Sequence, residues 1–326
     1  MSAPQASVPP AQPAGGRNIV GIVIVVVALL LLAFAYVTVL RGYNHEGENR
    51  SFHLADKQTA GADYLKVEIK VIAVDPVKGD MAVRLSFDPE GALAKDEFSP
   101  AEDMTLFINS ATGKQEHKFE KGKRINPIDA TLTLDGQASD YPFDSHDANL
   151  WMILTTPVKA ETRSEQPKEA GDEEPSAAKP PAKASVFDTN EPVAMAVEFE
   201  GSIPGLKLEA EKDKESELGY TSIDMKISRS STVVFFSTFV MVLMLCLTTA
   251  ATIMMLRFWL GNRKIELGAM SLYGAMLFAF PAMRNSQPGV PPLGTYSDYV
   301  SFFWAEALIA ILLVTIISLW ALRRQA

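Results

Sequence analysis

Two hydrophobic patterns divide the chain. In "YLKVEIKVIAVDPVKGDMAVRLSFDP", Leu65, Val67, Ile69 and Val71 fall on one face, and Lys66, Glu68 and Lys70 on the other. Val83, Leu85 and Phe87 repeat the alternation after a Pro-Val-Lys-Gly-Asp turn. A period of two with one apolar face predicts a half-buried β-hairpin. Further strands are predicted at residues 104–109, 130–134, 149–154, 193–200, 206–210 and 220–228. About eight short strands separated by turn residues predict an antiparallel β-sandwich. The other pattern is unbroken apolarity, at 19–40, 233–256, 266–283 and 300–322. A hydrocarbon core of about 30 Å takes roughly 20 apolar residues of helix. The fold class expected is therefore membrane α+β: an extracytoplasmic β-sandwich over residues 41–232, and a four-helix transmembrane bundle with one span before the sandwich and three after it.

Two stretches follow neither pattern. Residues 155–192 are rich in Pro, Glu, Lys and Ala and nearly lack large apolar side chains. Such a segment buries too little surface to offset its chain entropy, so it is expected as a disordered insert between two strands. Residues 1–18 form a Pro/Ala-rich tail of the same kind, and 323–326 a short second tail.

Composition and charge sharpen this outline. The 326 residues carry a net charge of −9 and are 48% hydrophobic, but most of the charge lies between the first and second apolar runs. Arg257, Arg263 and Lys264 fall between spans two and three, and Arg323 and Arg324 follow span four. Positive loops face the cytoplasm, so both termini are expected inside, residues 41–232 outside, and the protein in the plasma (inner) membrane. The first run, with Arg17 before it and "AFA" at 33–35, has two readings: a cleaved signal peptide, or an uncleaved anchor that continues apolar to Leu40. The anchor is the reading adopted.

Candidate chemistry is sparse. The one cysteine, Cys246, lies inside span two, so no disulfide forms within the chain. The four histidines have no zinc spacing, and there is no nucleotide loop, nucleophile motif or basic stripe for nucleic acid. No enzyme activity, cofactor or metal is expected. The acids and His146 of "DSHD" read as a surface turn, because no nucleophile is placed near them. Ionisable residues inside spans stand out instead. Glu266 opens span three near the cytoplasmic face. Glu306 lies about two turns into span four, where an ion pair with Arg284, at the outer end of span three, is expected.

The order of features carries a resemblance. "YPFDSHDANLWMIL" looks like the loop and strand that rest on the membrane in the pentameric ligand-gated ion channels, the Cys-loop receptor superfamily. "DMKISRS" is similar to that family's last strand before the spans, and "PGVPPLGTY" to its linker behind the pore helix. The hairpin around Asp75 resembles the first hairpin of its sandwich. Over nearly its full length the chain also resembles a bacterial and fungal membrane-protein family of unknown function with one span, an outside domain and three spans. The channels have four spans after their outside domain, where this chain has three.

The channel resemblance implies roles. Tyr141, Pro142, Phe143 and Asp144 would sit where the β-domain meets the spans, Asp144 facing Arg229 with Asp75 close by. Glu266, Met270, Tyr273, Leu277 and Phe280 recur at spacings of 4, 3, 4 and 3. They would line a pore, although the same stripe serves an ordinary packed helix. The function implied is that of a homo-oligomer in the bilayer that couples an outside event to its helices. The rival is a non-conducting accessory or scaffold protein whose outer domain binds an unknown ligand or envelope partner.

Overall fold

The computed structural model describes residues 52–55, 63–157, 190–260 and 267–324, with isolated helical positions between Val23 and Arg41. The tail 1–18, residues 158–189 of the insert, and Glu266 lie outside the described residues. The chain divides into two compact units, Met1–Gly47 and Glu48–Ala326. The first carries the isolated helical positions; the second holds the sheets and three helices.

Two sheets form a β-sandwich-like domain. The first runs in the order β1 (Phe52–Ala55), β12 (Met195–Gly201), β2 (Tyr64–Asp75), β3 (Asp80–Glu90), β8 (Ile128–Thr133). The second runs β13 (Leu206–Lys212), β14 (Tyr220–Arg229), β10 (Ser145–Pro157), β6 (Met104–Ile108), β7 (Glu116–Phe119), with β9 (Asp135–Gly136) and β11 (Asn190–Pro192) paired to β10. A small hairpin, β4 (Ala94–Asp96) with β5 (Ser99–Pro100), stands apart. The alternation read in β2 and β3 is the alternation buried: Leu65, Val67, Ile69, Met81, Val83 and Leu85 are fully enclosed. They meet Leu106, Leu150, Ile223 and Ile227 of the other sheet in one core. Apolar burial of this kind is the main term holding a sheet pair together.

The sandwich departs from expectation in two ways. It is mixed rather than antiparallel, because β12 pairs parallel to β2, Met195 opposite Leu65 and Phe199 opposite Ile69. The insert also begins later than its composition suggests. β10 continues to Pro157 and pairs there with β11, Thr155 opposite Pro192 and Pro157 opposite Asn190. Thr155 and Thr156 are buried, and backbone pairing holds both ends of the segment although neither is apolar.

Three helices follow: α1 (Ser231–Leu260), α2 (Leu267–Asn285) and α3 (Phe303–Arg324), the last entered through a π-turn at Asp298–Phe302. Among the described residues two segments, not four, are long and apolar enough to cross a membrane: Ser231–Leu260 and Asp298–Leu322. α2 falls short because its 19 residues include Gly268, Ser271, Gly274 and Pro281 and end on Arg284 and Asn285. Most of the run 19–40 lies outside the described residues. The three helices share a core of Val240, Met244, Ala251 and Met255 from α1, Tyr273, Met276 and Phe280 from α2, and Ala305, Ile309 and Ile316 from α3.

Candidate functional site at the domain junction

β10 begins and β14 ends at the same edge of the sandwich. Their antiparallel register sets Ser145 opposite Ser228 and His146 opposite Ile227. One step beyond that register Asp144 faces Arg229, and Arg229 is the last residue of β14 before α1. The guanidinium Nε donates to both carboxylate oxygens, at 2.9 and 3.0 Å. His146 Nε2 lies 3.1 Å from Asp144 Oδ2. All three side chains are enclosed. The pair is not a two-nitrogen fork on the carboxylate. Among the described residues the hydrogen bonds to it come from Nε, and Nη1 lies against Gly289, where an added Cβ would stand 2.9 Å away.

Tyr141 joins the sandwich to the helices. Its ring is fully buried with the Arg229 guanidinium 5.1 Å from its centroid. The phenol donates to the Pro288 carbonyl at 2.9 Å and stands 2.6 Å from Ser237 Oγ on α1. The Tyr141 carbonyl accepts the Ser297 amide at 3.3 Å. Burial pushes the phenol pKa up, against the Ser237 hydrogen bond and the nearby guanidinium. Pro142, reached through a cis peptide, is buried, whereas Phe143 turns outward and meets Tyr296 edge to face, centroids 6.0 Å apart.

A second buried pair lies in the same loop system. Arg284, at the end of α2, grips Asp298 with two nitrogens, Nε to Oδ1 and Nη2 to Oδ2, each at 2.8 Å. Nη2 also donates to the Pro291 carbonyl at 2.9 Å. Asp298 Oδ2 further accepts the amides of Gly294 and Thr295 and the Thr295 hydroxyl. This is the two-nitrogen geometry that makes carboxylate–arginine pairs strong.

Several sequence expectations are corrected here. Arg284 pairs with Asp298 rather than Glu306. Asp298 sits where the loop turns into the helix, while Glu306 is about 12 Å further down it at ~1.5 Å per residue. Glu306 Oε2 is buried with no hydrogen-bond partner among the described residues. Asp75 is not joined to Asp144 or Arg229 by any hydrogen bond or ion pair among the described residues. Its Oδ1 accepts the amides of Val77 and Lys78, and Lys78 Nζ lies 3.2 Å from Oδ2, so it caps its own hairpin turn. "DSHD" is not a surface turn at its first and third positions, since Asp144 and His146 are buried. The expected pore stripe faces inward. Tyr273 and Phe280 are fully buried, Met270 and Leu277 pack on the same cluster, and the Tyr273 hydroxyl donates to the Ala251 carbonyl of α1 at 2.8 Å.

His146 was set aside as part of a surface turn, and Ser237 and Asp298 were missed. Asp298 had a signal, being the carboxylate nearest the start of the last span; a lone serine in a long apolar helix had none.

This architecture has a family. The model of a domain of unknown function, DUF4436, matches residues 55–227, more than half of the chain, and a second, DUF8686, matches residues 229–323. The chain belongs to the DUF4436 family. No curated protein matches it. The two matched regions part between Ile227 and Arg229, so the Asp144–Arg229 pair ties one to the other.

Proposed function

We propose that this is a multi-pass membrane protein with both termini cytoplasmic, in which an extracytoplasmic β-sandwich is coupled to the helices through the junction of Tyr141, Asp144 and Arg229. The observation that carries the reading is Asp144. A carboxylate with no exposed side-chain area, shared by an arginine at the root of α1 and a buried histidine, makes sandwich and helix depend on one another. Aromatic residues at both ends of the last helical segment support the membrane placement. Tyr299 and Trp320 are about 31 Å apart at ~1.5 Å per residue, close to the hydrocarbon thickness.

Two experiments test the two halves of the proposal. In a Cys246→Ala background, Ser176→Cys labels with an impermeant thiol reagent in intact cells and Asn262→Cys does not; the reverse pattern overturns the orientation. Asp144→Arg and Arg229→Asp each loosen the root of α1 in hydrogen exchange, and the double swap restores part of the protection. Additive damage in the double swap refutes the coupling.

The inward turn of Tyr273 and Phe280 favours the non-conducting version of this function, an outer domain that binds a ligand or envelope partner. A channel-like version needs several copies around an axis lined by the other face of α2, with Ser271, Ala275, Ala279 and Ala282. Current in a planar bilayer together with five-fold particles supports that version, and a monomeric particle excludes it.

A further inference from the structure

The turn that delivers Tyr141 and Asp144 inward sends Phe143 the opposite way. Its neighbours on both sides are buried, yet Phe143 is 56% exposed. Its amide donates to the Asp140 carbonyl at 2.9 Å, which fixes the outward direction. The ring touches Tyr296, itself 49% exposed. From Tyr296 an outward stripe runs down the last helical segment. Tyr299, 62% exposed, follows at the next helical step and meets Phe303 edge to face, centroids 5.4 Å apart. Ala307, Ile311 and Val314 continue the stripe, and all are exposed. No ionised side chain interrupts it: Asp298 is buried against Arg284, and Glu306 is half-buried on a different face.

We propose that Phe143, with Tyr296 and Tyr299, is a bilayer anchor carried by the β-sandwich itself, seated at the headgroup–acyl boundary of the outer leaflet. The partner is a phospholipid surface. The inference rests on the reading of the last helical segment as a span and deepens it, because the lipid face of that segment extends onto a residue of the extracytoplasmic domain. Three observations select lipid as the occupant. The stripe is continuous with the exposed apolar face of a segment long enough to cross a membrane. Its upper end is aromatic, the residue class favoured where hydrocarbon meets headgroups. Tyr299 and Trp320 bracket one hydrocarbon thickness of helix, about 31 Å at ~1.5 Å per residue. Phe143, in contact with Tyr296 one helical step before Tyr299, lies at the outer rim of that bracket.

The test is nitroxide accessibility in the full chain, with Cys246→Ala, reconstituted in vesicles of phosphatidylethanolamine and phosphatidylglycerol. Single labels are placed through Phe143→Cys, Tyr296→Cys, Ile311→Cys and Leu218→Cys. Ile311 reports mid-helix. Leu218 is an exposed apolar residue of the sandwich at the far end of β14 from Arg229. Collisions with oxygen, which concentrates in lipid, are compared with collisions with a water-soluble nickel chelate. The expected order of the oxygen-to-nickel ratio is Ile311 highest, Phe143 and Tyr296 between, Leu218 lowest. If Phe143 and Tyr296 match Leu218 while Ile311 reads as lipid, the anchor is wrong and the span stands. If both reagents are excluded from Phe143 and dipolar broadening appears, a second copy covers the ring and the lipid assignment is overturned. If Ile311 itself reads as water, the span reading fails and the anchor with it.

Discussion

Substituting Asp298 tests which carboxylate Arg284 depends on. The Asp298 carboxylate takes two nitrogens of Arg284, two backbone amides and one hydroxyl in a site closed to solvent. With charge centres about 4 Å apart and an effective dielectric near ~20, the Coulomb attraction is about 4 kcal/mol. The desolvation of both ions offsets much or all of this, so the intact pair contributes little net stability. Breaking it differs, because the surviving guanidinium stays buried without its counter-charge. Asp298→Asn should cost about 3–5 kcal/mol on that ground. Glu306 Oε2 has no hydrogen-bond partner among the described residues, and Glu306→Gln should stay within about 0.5 kcal/mol or stabilise slightly. The assay is urea unfolding of the full chain in detergent micelles, followed by near-ultraviolet circular dichroism, with m required to stay constant so that a midpoint shift reads as stability. In a cycle with Arg284→Met, the Asp298 arm should show strong non-additivity and the Glu306 arm none. Equal losses from Asp298→Asn and Glu306→Gln, or an additive Arg284/Asp298 cycle, would refute the assignment.

Three further outcomes are expected. Tyr141→Phe should cost about 1–3 kcal/mol in the same urea assay, because the Pro288 carbonyl is left unpaired, while Ser237 can turn back to a carbonyl of its own helix; a loss below about 0.5 kcal/mol would mean that water already reaches the site. The Lys78 amide and ammonium hold the Asp75 carboxyl below the usual range, so its contribution to the hairpin is present above the unfolded pKa of about 3.9 and is lost as pH falls through the lower folded value; the Val77 and Lys78 amide resonances should move in that acid window and stay still in Asp75→Asn. Deleting residues 161–188 should leave folded yield unchanged, since about four residues then remain between Pro157 and Asn190, an ordinary hairpin loop; loss of folded protein would show that the segment packs.

How far the fold was legible depended on what each element buries. β2 and β3 were readable because one face is enclosed and the other wet, so burial is written as alternation. β7 was not, because Phe119 is its only buried residue and Glu116 and Lys118 are the charged side chains of a sheet edge. The parallel pairing of β12 with β2 left no mark, since alternation states which face is buried and not which way the neighbour runs. The stripe of Met270, Tyr273, Leu277 and Phe280 was read correctly as one face of a helix. The choice between pore and core depends on which helices flank it, and period alone is silent on that. Glu306 was chosen as Arg284's partner because it is the acid inside a span, yet a fully paired arginine needs its carboxylate at its own depth, and Asp298 is the one there.

The polar character of the junction has a mechanical consequence. Apolar faces can slide past one another with little change in buried area, whereas hydrogen bonds weaken steeply with displacement and angle. At this junction Tyr141 holds Pro288, Ser237 and Ser297 at once, and Asp144 holds Arg229 and His146. Gly289, at φ +59, leaves room for Nη1, which an added Cβ would approach to 2.9 Å. A shift of the sandwich against the helices by about 1 Å would stretch the three Tyr141 bonds together and leave buried groups unpaired. Small tilts of the outer domain are therefore resisted as a set, and a large one must exchange the whole network for another. On the proposed coupling, a domain seated in this way would act on its helices as a switch between discrete arrangements rather than as a continuous lever.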